Sequence, residues 1–171
     1  MSPEELNREF GITGVATFAS GEGDTPRLRG DNQTAQAEIS LHGGQVLAYH
    51  PKRASHALLF LSERAWFRAD KAIKGGIPIC WPWFGDDPEG LGRPAHGFAR
   101  TAEWSVRHIT QLTPGDTRIM LGLEDNAATR KLWPHAFRLT LTIDIGELLT
   151  LSLVTTNTGD QPFRITQALH T

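Results

Sequence analysis

Seven histidines, His42, His50, His56, His96, His108, His135 and His170, are the side chains best suited to move a proton near neutral pH. They form no HxH pair and no HExxH, and Cys80 is the only cysteine, so the close ligand pair usual in zinc or iron sites is missing. No metal or cofactor is expected. No GxSxG frames a serine nucleophile, and the GGI and GLG pieces lack the GxGxxG spacing of a nucleotide loop. One stretch concentrates chemistry. From Ile73 to Arg100 the chain reads IKGGIPICWPWFGDDPEGLGRPAHGFAR, with six of the 17 Gly and four of the ten Pro. Lys74 stands beside Gly75-Gly76, where missing side chains let a ligand approach the backbone. Arg100 ends the stretch with a planar fork suited to phosphate or carboxylate. Trp81 and Trp83 could offer flat faces to a sugar ring, and His96 and His170 could exchange protons. Bland readings stand beside these: Lys and Arg are commonly solvated charges, Trp commonly packs in a core, and a lone His is commonly structural.

Elements must hold these groups in place. Ser2, Pro3 and Glu5 write a capping box for a short N-terminal helix, with Leu6 and Phe10 on one face and Gly11 as its stop. The Gly-rich stretch that follows, from Gly11 to Gly30, reads as turns and loop. Beyond it the apolar period is two. Ala35 to Leu41 alternates, Gly43-Gly44 breaks the run, and Val46 to Tyr49 resumes it. Ala102, Trp104 and Val106 alternate, as do Phe137 to Ile145 and Leu149 to Leu153 across a tight Gly146-Glu147 turn. A last strand is expected over Phe163 to Leu169, with His170 out of phase with Leu169. The expectation is an all-β fold, one sandwich domain over residues 1–171, mostly antiparallel with a short N-terminal helix. A Gly/Pro-broken loop rich in Trp and Phe fits a binding loop on a rigid scaffold.

Composition narrows the partners. Seventeen Lys+Arg against 19 Asp+Glu give a net charge of -2, which is no footprint for nucleic acid. No apolar run approaches a membrane span, and the first residues carry no signal-peptide pattern. A single cysteine suits a reducing compartment, so a cytoplasmic location is expected.

GGIPICWPWFG (Gly75 to Gly85), AHGFAR (Ala95 to Arg100) and ALHT (Ala168 to Thr171), in that order, resemble the glucose-6-phosphate 1-epimerase family, the hexose-6-phosphate mutarotases related to aldose 1-epimerases. HGGQVLAY (His42 to Tyr49) and TNTGDQPF (Thr156 to Phe163) fit as well, so the resemblance covers nearly everything from Gln36 onward. It implies a mutarotase-type β-supersandwich and interconversion of the α and β anomers of a hexose 6-phosphate. One group takes the proton of the anomeric hydroxyl while another protonates the ring oxygen. By resemblance, His170 is that acid, Arg100 binds the phosphate, and Lys74 falls where many relatives have Arg. His96 is a sugar-hydroxyl partner or orients the loop.

The departures matter too. Ala95 stands where some relatives have Gln, and Lys74 lacks the bidentate fork. The resemblance places the catalytic glutamate and a sugar-holding aspartate beyond His170, and no glutamate here matches that base. The expectation is the N-terminal part of a longer mutarotase domain, inactive or weakly active alone and monomeric when complete. A non-catalytic sugar-phosphate-binding sandwich, a structural sandwich and an epimerase of free hexoses stay open.

Overall fold

The computed structural model describes every residue except 63, 64, 69, 113 and 114 and the side chain of residue 24. Two four-stranded antiparallel sheets hold most of the chain. The first runs β1 (Ala16–Ser20), β2 (Pro26–Asp31), β3 (Ala35–Ser40), β4 (Gln45–Pro51) in spatial order. The second runs β6 (Ser105–Gln111), β7 (Thr117–Glu124), β8 (Phe137–Ile145), β9 (Leu149–Asn157). Between them in sequence, β5 (Ile79–Cys80) pairs with β10 (Ala168–Leu169) as a two-stranded piece. Helix α1 (Pro3–Phe10) opens the chain, and α2 (Ala127–Leu132) links β7 to β8.

Alternation explains which faces meet. Along β8 every second residue is buried, and Leu139, Leu141 and Ile143 are fully enclosed with Ile119 and Leu121 of β7. Leu28 and Ile39 face them from the first sheet and belong to the same apolar cluster. Polar links stitch the sheets at one end. Tyr49 donates its hydroxyl to the Gly146 carbonyl at 2.8 Å, and the buried Asn32 amide donates to the Ile145 carbonyl at 2.8 Å. Gly30 lets the sheets close there, because a Cβ would lie 2.8 Å from Ile145 Cδ1.

The N-terminal helix carries the anticipated capping box, with the Glu5 N–H donating to Ser2 Oγ and the Ser2 N–H to the Glu5 carboxylate. Four elements depart from expectation. The Gly-rich stretch read as turns and loop contains β1 and β2, because Gly30 serves sheet packing instead of a turn. Trp104 sits before β6 and not in it. The β8–β9 connection takes Gly146, Glu147 and Leu148, closing with the Gly146 N–H on the Leu148 carbonyl. The strand expected over Phe163 to Leu169 shrinks to Ala168–Leu169. Its neighbour there is the loop with Pro78 and Pro82, which offer carbonyls but no N–H to sustain a ladder. The Thr166 and His170 N–H groups donate to those two carbonyls at 3.1 and 3.0 Å.

Candidate active site

The loop from Ile77 to Arg100 is anchored at both ends. The Ile77 N–H donates to the Val46 carbonyl, and the Phe98 and Ala99 N–H groups both reach the Trp81 carbonyl. Gly97 makes this possible: at φ +70, a Cβ would meet Trp81 O at 2.0 Å. Inside the loop, Asp87 accepts N–H bonds from Glu89, Leu91 and Arg93 and the Arg93 Nε at 2.9 Å. The Arg93 guanidinium, both side chains being buried, holds the Asp87 carboxyl far below the usual carboxylate range. Arg93 also lies over the Trp83 ring. The loop is therefore a tied structure with its own polar core.

Three rings meet on its outer side. The β5–β10 pairing carries His170 to the loop, where its ring centre lies 6.0 Å from His96 and 5.7 Å from Phe84. Phe84 is 5.1 Å from His96, and about half of it is exposed. Its N–H donates to Thr166 Oγ1 at 2.9 Å, which ties the loop to the segment before His170.

His96 is held in the left-handed region at φ 64, a conformation that costs a non-glycine residue roughly 1–2 kcal/mol. A reciprocal pair compensates. The His96 N–H donates to the Gly85 carbonyl at 2.7 Å, and the Gly85 N–H donates to His96 Nδ1 at 3.1 Å. An accepting Nδ1 puts the ring proton on Nε2, so His96 is a neutral imidazole with an Nε2–H donor. Burial, then the charges of Arg100 and His170, pushes its pKa below the usual histidine value against the opposing pull of Asp86.

Beside His170 lies a groove of 340 Å³ walled by Leu58, Phe60, Gly75, Gly76 and Pro78. Lys74 opens instead into an adjoining groove of 320 Å³ with Trp66, Lys71 and Ala72. The consecutive residues Lys74 and Gly75 join the two. Arg100 lies near His96, and its Nη2 donates to the Ala95 carbonyl at 2.7 Å.

Trp81 and Trp83 do not offer the faces expected of them. Trp81 is 0% exposed, packed against Phe98, Trp133 and Phe137, with Nε1 donating to Thr155 Oγ1 at 3.1 Å. Trp83 is 3% exposed and donates to the Pro94 carbonyl. They are the core under the loop. Phe84, which follows three buried residues, is the aromatic that faces outward. Two glutamates at or near strands have ion-pair partners away from this site, Glu124 with Arg107 and Glu147 with Arg53, while the Glu103 backbone bridges to His42. Among the described residues, no three His, Cys, Asp or Glu side chains gather as a metal site, and no helix is long and apolar enough to cross a membrane.

Residues 26–171 match the aldose 1-epimerase family. The chain belongs to the aldose 1-epimerase family. A Salmonella typhimurium protein provisionally named glucose-6-phosphate 1-epimerase is 34% identical over 142 residues, covering 82% of this chain and 45% of that protein. A plant relative with the same provisional name, from Cenchrus ciliaris, is 40% identical over 143 residues, 79% of this chain and 42% of its own. The crystal structure of a protein provisionally termed a mutarotase, also from Salmonella typhimurium, superposes with a TM-score of 0.80 at 30% identity. It covers 86% of this chain and 48% of that one. The chain thus spans less than half the length of these epimerase-family relatives.

Proposed function

We propose that this chain is the histidine-bearing part of a hexose-6-phosphate mutarotase, an isomerase that interconverts sugar anomers. The observation that carries the reading is the meeting of His170, neutral His96 and exposed Phe84 beside an open groove. In this reading the sugar lies against Phe84, whose apolar face suits the C–H surface of a pyranose. His96 donates from Nε2 to a sugar oxygen. His170 gives a proton to the ring oxygen as the C1–O5 bond breaks, while a base takes the anomeric hydroxyl proton. The open aldehyde rotates about C1–C2, and closure on the other face returns both protons. By the family resemblance, the second acid–base group in this reading is a glutamate. Lys74 and Arg100 supply positive charge for the 6-phosphate.

A free-hexose epimerase is the second reading. It is favoured by the bond from Arg100 to the Ala95 carbonyl and by the opening of Lys74 into the adjoining groove. Calorimetric titration with glucose 6-phosphate and glucose, paired with polarimetric mutarotation, separates the two. The first reading expects saturable glucose 6-phosphate binding that weakens in Lys74→Ala and Arg100→Ala, and a slow mutarotation lost in His170→Asn. Equal binding of glucose and its 6-phosphate overturns the phosphate assignment. Absence of binding to either, or mutarotation unchanged in His170→Asn, overturns the site.

A further inference from the structure

The HGGQ turn from His42 to Gln45 joins β3 to β4 and encloses two polar side chains, His42 at 5% and Gln45 at 0% exposure. Their side-chain donors reach the backbone carbonyls of one distant strip. His42 Nε2 donates to the Lys71 carbonyl at 2.8 Å, and Gln45 Nε2 donates to the Ile73 carbonyl at 3.2 Å and to the Gly75 carbonyl. Both act as donors, because a carbonyl oxygen only accepts. Lys71, Ile73 and Gly75 are alternate residues, so the turn takes the carbonyls along one edge of the strip as a neighbouring strand would. Backbone holds the other edge. The Ser62 N–H donates to the Lys74 carbonyl at 3.2 Å, and the Gly76 N–H donates to the Phe60 carbonyl at 2.7 Å.

This bonding fixes which residues of the strip turn outward. Ile73 is buried, Lys74 is exposed and opens into the 320 Å³ groove, and Gly75 walls the 340 Å³ groove beside His170. The same turn also lies against Arg100. The Gly43 N–H donates to the Ala102 carbonyl at 2.7 Å, and at φ 78 a Gly43 Cβ would stand 2.7 Å from the Arg100 carbonyl oxygen. One four-residue turn therefore supports the backbone of both cations.

We propose that His42 and Gln45 are positioning residues of the phosphate site, fixing Lys74 relative to Arg100 and to the His170 groove. The role rests on the hexose-6-phosphate reading and extends it from the cations to their support. Lysine is a point charge on a flexible stem, so a backbone fixed on both sides of Lys74 lowers the ordering cost when an anion binds. Neither His42 nor Gln45 touches the sugar; both act through the strip.

Calorimetric titration of the full chain with glucose 6-phosphate and with glucose gives an affinity ratio that reports the phosphate contact. Gln45→Met keeps the side-chain length and removes the donor, so the ratio should fall at least about fivefold while glucose affinity stays. His42→Leu should lower the ratio likewise, and His42→Gln, whose amide can reach the Lys71 carbonyl, should restore it. ¹⁵N relaxation reads the strip without ligand, and the Ile73 and Lys74 amides should gain fast motion in Gln45→Met. Circular dichroism checks that each variant is folded, and the two His42 variants carry the same test if Gln45→Met does not fold. A wild-type chain that binds neither sugar, or both equally, overturns the phosphate reading and this role with it. A wild-type preference that Lys74→Ala removes but Gln45→Met leaves intact overturns this role alone. So does an equal loss of both sugars in Gln45→Met, which marks a merely structural role, or unchanged relaxation at Ile73 and Lys74.

Discussion

Trp81→Ala separates a core role from a ligand platform. The indole is wholly enclosed, its ring centre 4.5 Å from Phe137 and 5.1 Å from Trp133, and Nε1 is bonded to Thr155. An indole buries on the order of 200 Å², which at ~25 cal/mol per Å² is about 5 kcal/mol, matching the roughly 3–5 kcal/mol lost in such truncations. For a chain of 171 residues that is a fall of roughly 6–20 °C in melting temperature. Trp81→Phe keeps the edge-to-face contacts but loses the Thr155 bond and part of the volume, so it should cost about 1–3 kcal/mol. Urea unfolding followed by far-UV circular dichroism gives both values, and calorimetry on the folded Trp81→Phe protein gives its sugar-phosphate affinity. The structure predicts lost stability with unchanged affinity. A Trp81→Ala protein within 1 kcal/mol of wild type, or a Trp81→Phe protein as stable as wild type but unable to bind, refutes the reasoning.

Two further outcomes follow from the loop. Because native His96 has a pKa below its unfolded value, the unfolded chain binds more protons between the two. Stability is full above about pH 6.5 and declines as pH falls from there towards the native value, and urea midpoints from pH 5 to 7.5 should lose that part of their slope in His96→Asn. Gly97→Ala, whose Cβ would meet Trp81 O at 2.0 Å, should unfold the loop, whereas Gly92→Ala, at φ +75 with open space, should cost only about 1 kcal/mol in thermal melts.

The legible parts were local or periodic. Ser2, Pro3 and Glu5 define their helix start without help from the rest of the chain, since every partner lies within one turn. The alternation in Phe137 to Ile145 and Leu149 to Leu153 forecast β8 and most of β9, because one face must be buried whatever sheet receives it. The motif blocks at Gly75, Ala95 and Ala168 identified the family before any packing was known, and the matched region from residue 26 agrees with them.

Other features depend on partners distant in sequence. Gly30 looked like a turn residue because nothing near it reveals that Ile145 will press against its Cα. Trp81 and Trp83 looked like sugar platforms because residue type cannot say which face of a loop turns inward. For Trp81 that choice is made by Trp133 and Phe137, some fifty residues later, and for Trp83 by Arg93, Pro94 and Phe98 within the loop. His170 and His96 are 74 positions apart and meet only because two residues of β10 pair with two of β5. Local capping, periodicity and motif order are short-range properties that a sequence carries on its own. Which aromatics turn inward and which histidines meet depend on long-range contacts, and the folded chain alone decides them.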